Sequence, residues 1–163
     1  MVAFDAFRMP RYREIPNVGL YLEQTVKYIN ECLNPLGVAV TPSMLSNYVK
    51  QGYIRRPEKK QYYADQIAYL IFVALAKQVL SMENIAAMFA LQEKTTPLNV
   101  TYDYFCEELE KMLGQIFTGR GEPGLIDGTE PFEKKTLYSI LVAITNVIYL
   151  RECFKKLAQD SED

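Results

Sequence analysis

The sequence predicts an all-α fold, and three observations support this. Apolar residues recur at the spacing i, i+3, i+4 in one segment after another, which is the period of an α-helix with one buried face. Proline, glycine and helix-capping residues separate these segments. The 163 residues are 49% hydrophobic, enough to bury a core. We expect a helical N-terminal domain at 20–92 and a C-terminal helical bundle or dimerisation region at 93–163.

Residues 1–19 precede the first helical segment and are predicted to form an N-terminal arm, because Pro10 and Pro16 break any helix there. The arm carries aromatic residues among Arg8, Arg11 and Arg13. Two interpretations are open: the aromatic residues pack on the domain surface, or the arginines contact phosphates, as the arms of some DNA-binding proteins do.

The first two helices are predicted to form a helix, a turn and a second helix within about 30 residues. The first runs from Leu20 to Leu33 and ends before Asn34-Pro35, and Gly37 permits a sharp reversal. In the second, Thr41 is a good N-cap, Pro42 suits the first helical position, and Gly52 supplies a left-handed stop.

The second helix has two faces of different chemistry. One is an apolar stripe: Met44, Leu45, Tyr48 and Val49. The other is small and polar: Ser43, Ser46, Asn47 and Lys50. After Gly52, four cations surround Pro57 on a predicted loop or short hairpin: Arg55, Arg56, Lys59 and Lys60. Such a cluster is either a solvated surface or a contact with a phosphate backbone beside the polar face.

The remaining segments are predicted to be helices at 65–80, 82–91, 102–117 and 132–157. The helix at 65–80 is apolar around most of its circumference, so we expect it to bridge the N-terminal helices and those that follow. The acidic residues of 102–117, Asp103 and Glu110 among them, are expected on a solvated face. Residues 119–131 are rich in glycine and proline and are predicted to be a flexible loop. The helix at 132–157 either forms the central strut of a bundle or faces a second subunit.

Composition bounds the function. The sequence contains no histidine, which removes the commonest general base and metal ligand. Cys32, Cys106 and Cys153 are widely separated and are expected to be buried free thiols. We therefore expect no enzyme, no catalytic residue, no metal and no cofactor. Residues 1–66 carry a net charge of +3 and residues 67–163 one of −5, which fits a nucleic-acid reader joined to an assembly or sensing region.

Location in the cell is predicted from two further features. The longest run without a charge, Thr136 to Leu150, is too short to span a bilayer. The N-terminus lacks the basic start and apolar stretch of a secretory signal. We expect a cytoplasmic protein with no membrane segment.

The segment from Val40 to Ile54 resembles the recognition segment of the MerR-type winged helix-turn-helix family. The positions in register are Val40, Thr41, Pro42, Leu45, Tyr48, Gly52 and Ile54. Tyr62 matches the tyrosine that ends the family's wing, and residues 65–85 match the helix and capped turn that follow. The resemblance covers residues 20–92. The resemblance implies a DNA-binding domain, which can include a small β wing.

The sequence also departs from that family. Ser46 stands where the family usually has arginine, Asn47 stands where it usually has an aromatic residue, and the wing is shortened. Three short motifs, Pro10-Arg-Tyr12, Ile15-Pro16 and Leu20-Tyr-Leu-Glu-Gln24, are similar to those of a bacterial family of MerR-like proteins of unknown function.

The leading hypothesis is therefore a sequence-specific DNA-binding transcriptional regulator or accessory factor that acts as a homodimer on double-stranded DNA. Asn47 and Lys50 would read bases with Ser43 and Ser46, while Tyr48 and the four cations of the loop would hold phosphates. The alternative is a protein-interaction module that keeps the fold without DNA binding. A small-molecule effector is unknown. The space for one would lie between Phe89, Tyr102, Phe105 and Tyr138.

Overall fold

The computed structural model describes residues 4, 6–121 and 126–162, and within those ranges it contains six α-helices and no β-strand. The predicted all-α class is confirmed. The helices are α1 Leu22–Leu33, α2 Pro42–Lys50, α3 Ala64–Ala76, α4 Met82–Thr95, α5 Leu98–Thr118 and α6 Phe132–Glu162. Short 3-10 helices lie at Tyr12–Glu14 and Asn34–Leu36.

The predicted boundaries were least accurate between α3 and α5. Helix α3 ends four residues before Leu80, and the chain then turns toward Ser81, whose hydroxyl caps α4 by accepting a hydrogen bond from the Asn84 amide at 3.2 Å. Helix α4 continues to Thr95, and α5 begins at Leu98 rather than near Tyr102. Pro97 restricts Thr96 to an extended conformation (φ −148°, ψ 141°), which ends α4. The break between the two helices is the two residues Thr96 and Pro97.

The turn between α1 and α2 is held by local hydrogen bonds. Gly37 adopts a left-handed φ of 71°, as the predicted reversal requires. The Asn30 side chain then closes the turn, because its amide nitrogen donates to the Val40 carbonyl at 3.0 Å and its amide oxygen accepts from the Val40 amide at 2.7 Å. Helix α2 is thereby fixed against α1.

Helix α3 lies at the centre of the molecule, as its apolar circumference predicted. Ten of its thirteen residues are buried, and it contacts both α1 and α6. Arg151 of α6 adds a polar link, donating to the Gln78 side chain and, at 3.4 Å, to the Gly37 carbonyl. The buried side chains from Phe4 to Ile148 form one hydrophobic cluster.

The N-terminal arm packs on this core. Met9 and Ile15 are 1% and 4% exposed. Arg11 forms a largely buried ion pair with Glu110, and the Tyr12 amide donates to the Asp103 carboxylate at 2.8 Å. The prediction of a solvated acidic face on α5 is thus wrong for these two carboxylates, because the arm covers that part of the helix. Arg8 and Arg13 are exposed.

Helices α5 and α6 make the most extensive helix–helix contact of the fold. Helix α6 runs to Glu162, five residues beyond the predicted end, and its last turns extend into solvent. By length and composition α6 is apolar enough to cross a membrane, with 39% of its most apolar window buried in the protein. Core helices of soluble proteins have the same properties, so they are weak evidence for a membrane span. Residues 122–125 of the predicted flexible loop lie outside the described residues.

Candidate nucleic-acid interface

Helix α2 presents the polar face that its period predicted. Thr41 caps the helix by accepting a hydrogen bond from the Met44 amide at 3.2 Å, and Leu45 on the inner face is fully buried. The outer face is exposed and consists of Ser43, Ser46, Asn47 and Lys50. None of these four side chains forms a hydrogen bond or an ion pair with the part of the chain that the structure describes. Their donors and acceptors are therefore available to a ligand.

Tyr48 is placed differently from the other candidate residues. It lies on the inner face of α2 beside Leu45, and only 7% of its surface is exposed. Burial raises the pKa of its phenol, and the Lys77 ammonium donates to its hydroxyl at 3.4 Å. We therefore do not include Tyr48 among the residues proposed to contact DNA.

Lys77 was not identified from the sequence. Its ammonium also lies 3.7 Å from the Met44 sulfur, and burial lowers its pKa. One signal was present: Lys77 is the first charged residue after the uncharged run 66–76, and a cation at the end of an apolar helix commonly extends along the core surface toward a polar group.

The basic stretch after α2 is a compact loop with a fixed backbone. Gln66 of α3 is 2% exposed, and its amide nitrogen donates to the carbonyls of Arg55 and Arg56, both at 3.0 Å. The far end of the loop is tied to the segment before α1 by two backbone hydrogen bonds between Leu20 and Tyr62, of 2.9 and 2.7 Å. All four cations of the loop are exposed and lack an ion pair among the described residues.

The tip of the loop is a tight turn in place of a β wing. Glu58 and Gln61 exchange two backbone hydrogen bonds, of 3.1 and 2.8 Å. The two central residues, Lys59 and Lys60, both have positive φ, 49° and 67°. This matches a type I′ hairpin turn, which normally selects Asn-Gly. Across the described residues they are the only non-glycine positions with positive φ. Two lysines are thus held where lysine is disfavoured by about 1–2 kcal/mol per residue.

The predicted interface is therefore assembled from eight exposed residues on two adjoining elements. The polar face of α2 and the loop Arg55–Lys60 are joined through Gly52, whose left-handed φ of 83° ends the helix and turns the chain. Gln66 positions the loop but was not identified from the sequence. Within the described ranges, no group of three or more Cys, Asp or Glu residues is arranged to hold a metal ion.

The described residues form an all-α domain in which two helices joined by a short turn, α1 and α2, carry an exposed polar face beside a basic turn. The family is given by comparison with family models: residues 10–105 match the Domain of unknown function (DUF1836), and the chain belongs to this family. That range spans α1 to α4 and every candidate interface residue. No curated protein and no solved structure matches the chain.

Proposed function

We propose that the protein is a sequence-specific DNA-binding transcriptional regulator or accessory factor of the MerR-like winged helix-turn-helix type. The observation that carries the proposal is the exposed, unpaired polar face of α2 beside four exposed cations. Amide and ammonium groups on such a face match base edges in a major groove, and neighbouring cations match the phosphates beside it. The order of α1, α2, α3 and the Ser81-capped α4 is compatible with the proposal, because the sequence resemblance implies the same order of helices.

The turn at Lys59 and Lys60 adds an independent argument. An unfavourable backbone conformation persists when the surrounding structure enforces it, and such conformations cluster at ligand contacts. Asn-Gly in the same turn would be more stable but uncharged. The sequence instead has two exposed lysines at the tip. The presence of two charged residues in a turn where uncharged Asn-Gly would be more stable favours a role in binding an anion such as the DNA backbone.

A homodimer completes the proposal. The C-terminal part of α6 exposes an apolar stripe at the spacing i, i+4, i+7, in which Leu150, Phe154 and Leu157 are 51%, 66% and 58% exposed. Pairing of two such stripes would remove them from water and bring two copies of α2 onto one DNA site. A regulator of this kind would act in the cytoplasm.

The experiment compares two double variants in a titration of fluorescent mixed-sequence genomic DNA. Lys59→Ala with Lys60→Ala removes the charges of the turn, whereas Lys111→Ala with Lys156→Ala removes two exposed lysines elsewhere and is the matched control. We expect the turn variant to bind more weakly and to lower the slope of log affinity against log salt by about 2 per subunit, because each phosphate contact contributes about 0.9. The control should bind as the wild type does.

A third variant separates charge from folding. Lys59→Asn with Lys60→Gly should raise the free energy of unfolding by about 2 kcal/mol while weakening DNA binding as the alanine pair does. Equal binding by wild type and both turn variants would contradict the proposal. Light scattering on the same samples should give a dimer, and a monomer after Phe154→Glu.

The alternative, a protein-interaction module, is favoured by one specific observation. The outer face of α2 has Ser46 and Asn47 where the MerR-like pattern has an arginine and an aromatic residue, so this face carries only one cation, Lys50. Absence of any DNA complex at micromolar protein and low salt would select this function instead.

A further inference from the structure

A cavity of about 370 Å³ lies between α3, α4, α5 and the start of α6, away from the α2 face. Its volume is within the range of small-molecule sites, about 300–1,000 Å³. The expected effector space included Phe89, Tyr102 and Phe105, and all three line this cavity, whereas Tyr138 is not among the lining residues. The cavity opens to solvent beside Val100, which is 52% exposed.

The wall of the cavity is a continuous set of aromatic rings. Phe89 packs on Tyr69 with ring centroids 4.6 Å apart and on Phe72 at 5.7 Å, and Phe72 packs on Phe105 at 5.2 Å. Phe89 and Phe72 each contact two other rings, so the four rings form a connected row. Met88 adds a flexible thioether, which adapts to irregular apolar shapes and favours contact with aromatic rings. Such a wall offers stacking and edge-to-face contacts to a flat guest.

Two polar side chains in the wall are fixed in orientation and retain free bonding capacity. The Tyr69 hydroxyl donates to the Gln92 amide oxygen at 2.7 Å, and the Gln92 amide nitrogen donates to the Thr96 carbonyl at 2.7 Å. The second N–H of Gln92 and the oxygen lone pairs of Tyr69 have no partner in these bonds. A guest can therefore gain one or two directed hydrogen bonds without breaking those already present.

The charged residues of the cavity lining give no preference for a positively or a negatively charged guest. Glu133 and Lys134 are the charged lining residues, and they are adjacent and of opposite sign at the start of α6. The Lys134 ammonium lies 5.7 Å from the Tyr104 ring centroid and 3.2 Å from the Glu130 carboxylate. A charged guest would lose hydration in exchange for two adjacent lining charges of opposite sign, and Lys134 is already paired with Glu130, so charge on the guest is disfavoured.

We propose that this cavity is a binding site for neutral, planar aromatic small molecules with one or two hydrogen-bonding groups. The inference goes beyond DNA binding and does not depend on it. The site is formed by the packing of α3, α4, α5 and α6 around the aromatic wall.

The first test is fluorescence of N-phenyl-1-naphthylamine, a neutral probe, during titration with protein. The sequence contains no tryptophan to interfere. We expect a saturable increase with a micromolar dissociation constant. The anionic analogue 8-anilinonaphthalene-1-sulfonate has the same rings plus a sulfonate and should bind at least about tenfold more weakly. No saturation up to 100 μM protein, or equal binding of both probes, would overturn the proposal.

Two variants locate the probe. Met88→Trp fills the cavity and should weaken binding at least about tenfold. Phe154→Glu removes a large exposed apolar side chain of α6 that does not line the cavity, and this variant should bind the probe as the wild type does. Should Met88→Trp not fold, as judged by circular dichroism, Val100→Trp at the exposed mouth replaces it.

A second measurement needs no cavity variant. In the spectrum of methyl-labelled methionine, the probe should shift the Met88 signal by ring currents and leave the Met44 signal of α2 unchanged. Binding with Met88 unmoved, or loss of binding in Phe154→Glu, would place the probe on the surface and reject the site.

Discussion

Replacement of Gln66 with leucine is expected to lower the free energy of unfolding by about 3 kcal/mol. The Gln66 side chain makes three hydrogen bonds: its amide oxygen accepts from the Tyr63 amide at 2.9 Å, and its amide nitrogen donates to the carbonyls of Arg55 and Arg56 at 3.0 Å. Each such bond contributes about 1 kcal/mol, and Gln66 itself is 2% exposed. Leucine keeps the volume and removes all three bonds.

The chain contains a matched control. Gln24 occupies the same third position of α1 and accepts from the Tyr21 amide at 2.9 Å, but it is exposed and makes no other hydrogen bond among the described residues. Gln24→Leu should therefore lower the stability by only about 0.5–1 kcal/mol.

The assay is urea unfolding followed by circular dichroism, with the denaturant slope m compared to establish that both variants unfold as the wild type does. A difference between the two variants below about 0.5 kcal/mol would refute the reasoning that Gln66 holds the basic loop on α3.

Two further predictions concern backbone strain and pH. Gly19→Ala should destabilise the protein by about 1–3 kcal/mol, because Gly19 has a φ of 91° and an added Cβ would lie 3.0 Å from the Gln61 side chain. The control is Gly114→Ala inside α5, where an added Cβ would have no atom within 4 Å. This change should raise the free energy of unfolding by about 0.5–1 kcal/mol. Equal thermal midpoints for the two variants would contradict the argument. Burial raises the pKa of the Cys106 thiol from 9.0 to about 12, so the stability due to its neutral form is complete below pH 9 and is lost as pH rises through 12. Between pH 9 and pH 12 the free energy of unfolding should fall by up to about 1.4 kcal/mol per pH unit. Cys106→Ala should reduce this slope. Parallel profiles of unfolding free energy against pH for the two proteins would exclude the thiol as the cause.

Sequence patterns predicted the fold well where a residue caps, ends or faces its own helix. The Thr41 cap, the left-handed Gly52 and the inward stripe of α2 follow from spacing alone, because capping and amphipathic periodicity are properties of neighbouring residues. The boundaries between α4 and α5 were less accurate, because polar residues such as Gln92 and Lys94 carry no periodic apolar signal although they remain helical.

The candidate interface was predicted in part for the same reason. Eight of its nine residues are exposed, as a polar face and a charge cluster indicate. The sequence predicts that Tyr48 contacts phosphate, yet Tyr48 also belongs to the apolar stripe of α2, and in the structure it is 7% exposed and its hydroxyl accepts a hydrogen bond from Lys77. The roles of Gln66 and Lys77 depend on contacts across 10 to 33 residues of sequence, which no local pattern encodes.

The sequence by itself determined the helical class, the faces of α2 and the position of the basic loop, since these depend on residues a few positions apart. Only the tertiary structure decided that the arm is bound by Asp103 and Glu110, that Lys59 and Lys60 share a strained turn, and that the aromatic rings of α3, α4 and α5 enclose a cavity. Those features arise where separate helices meet, and the packing of one helix on another is set by the whole core.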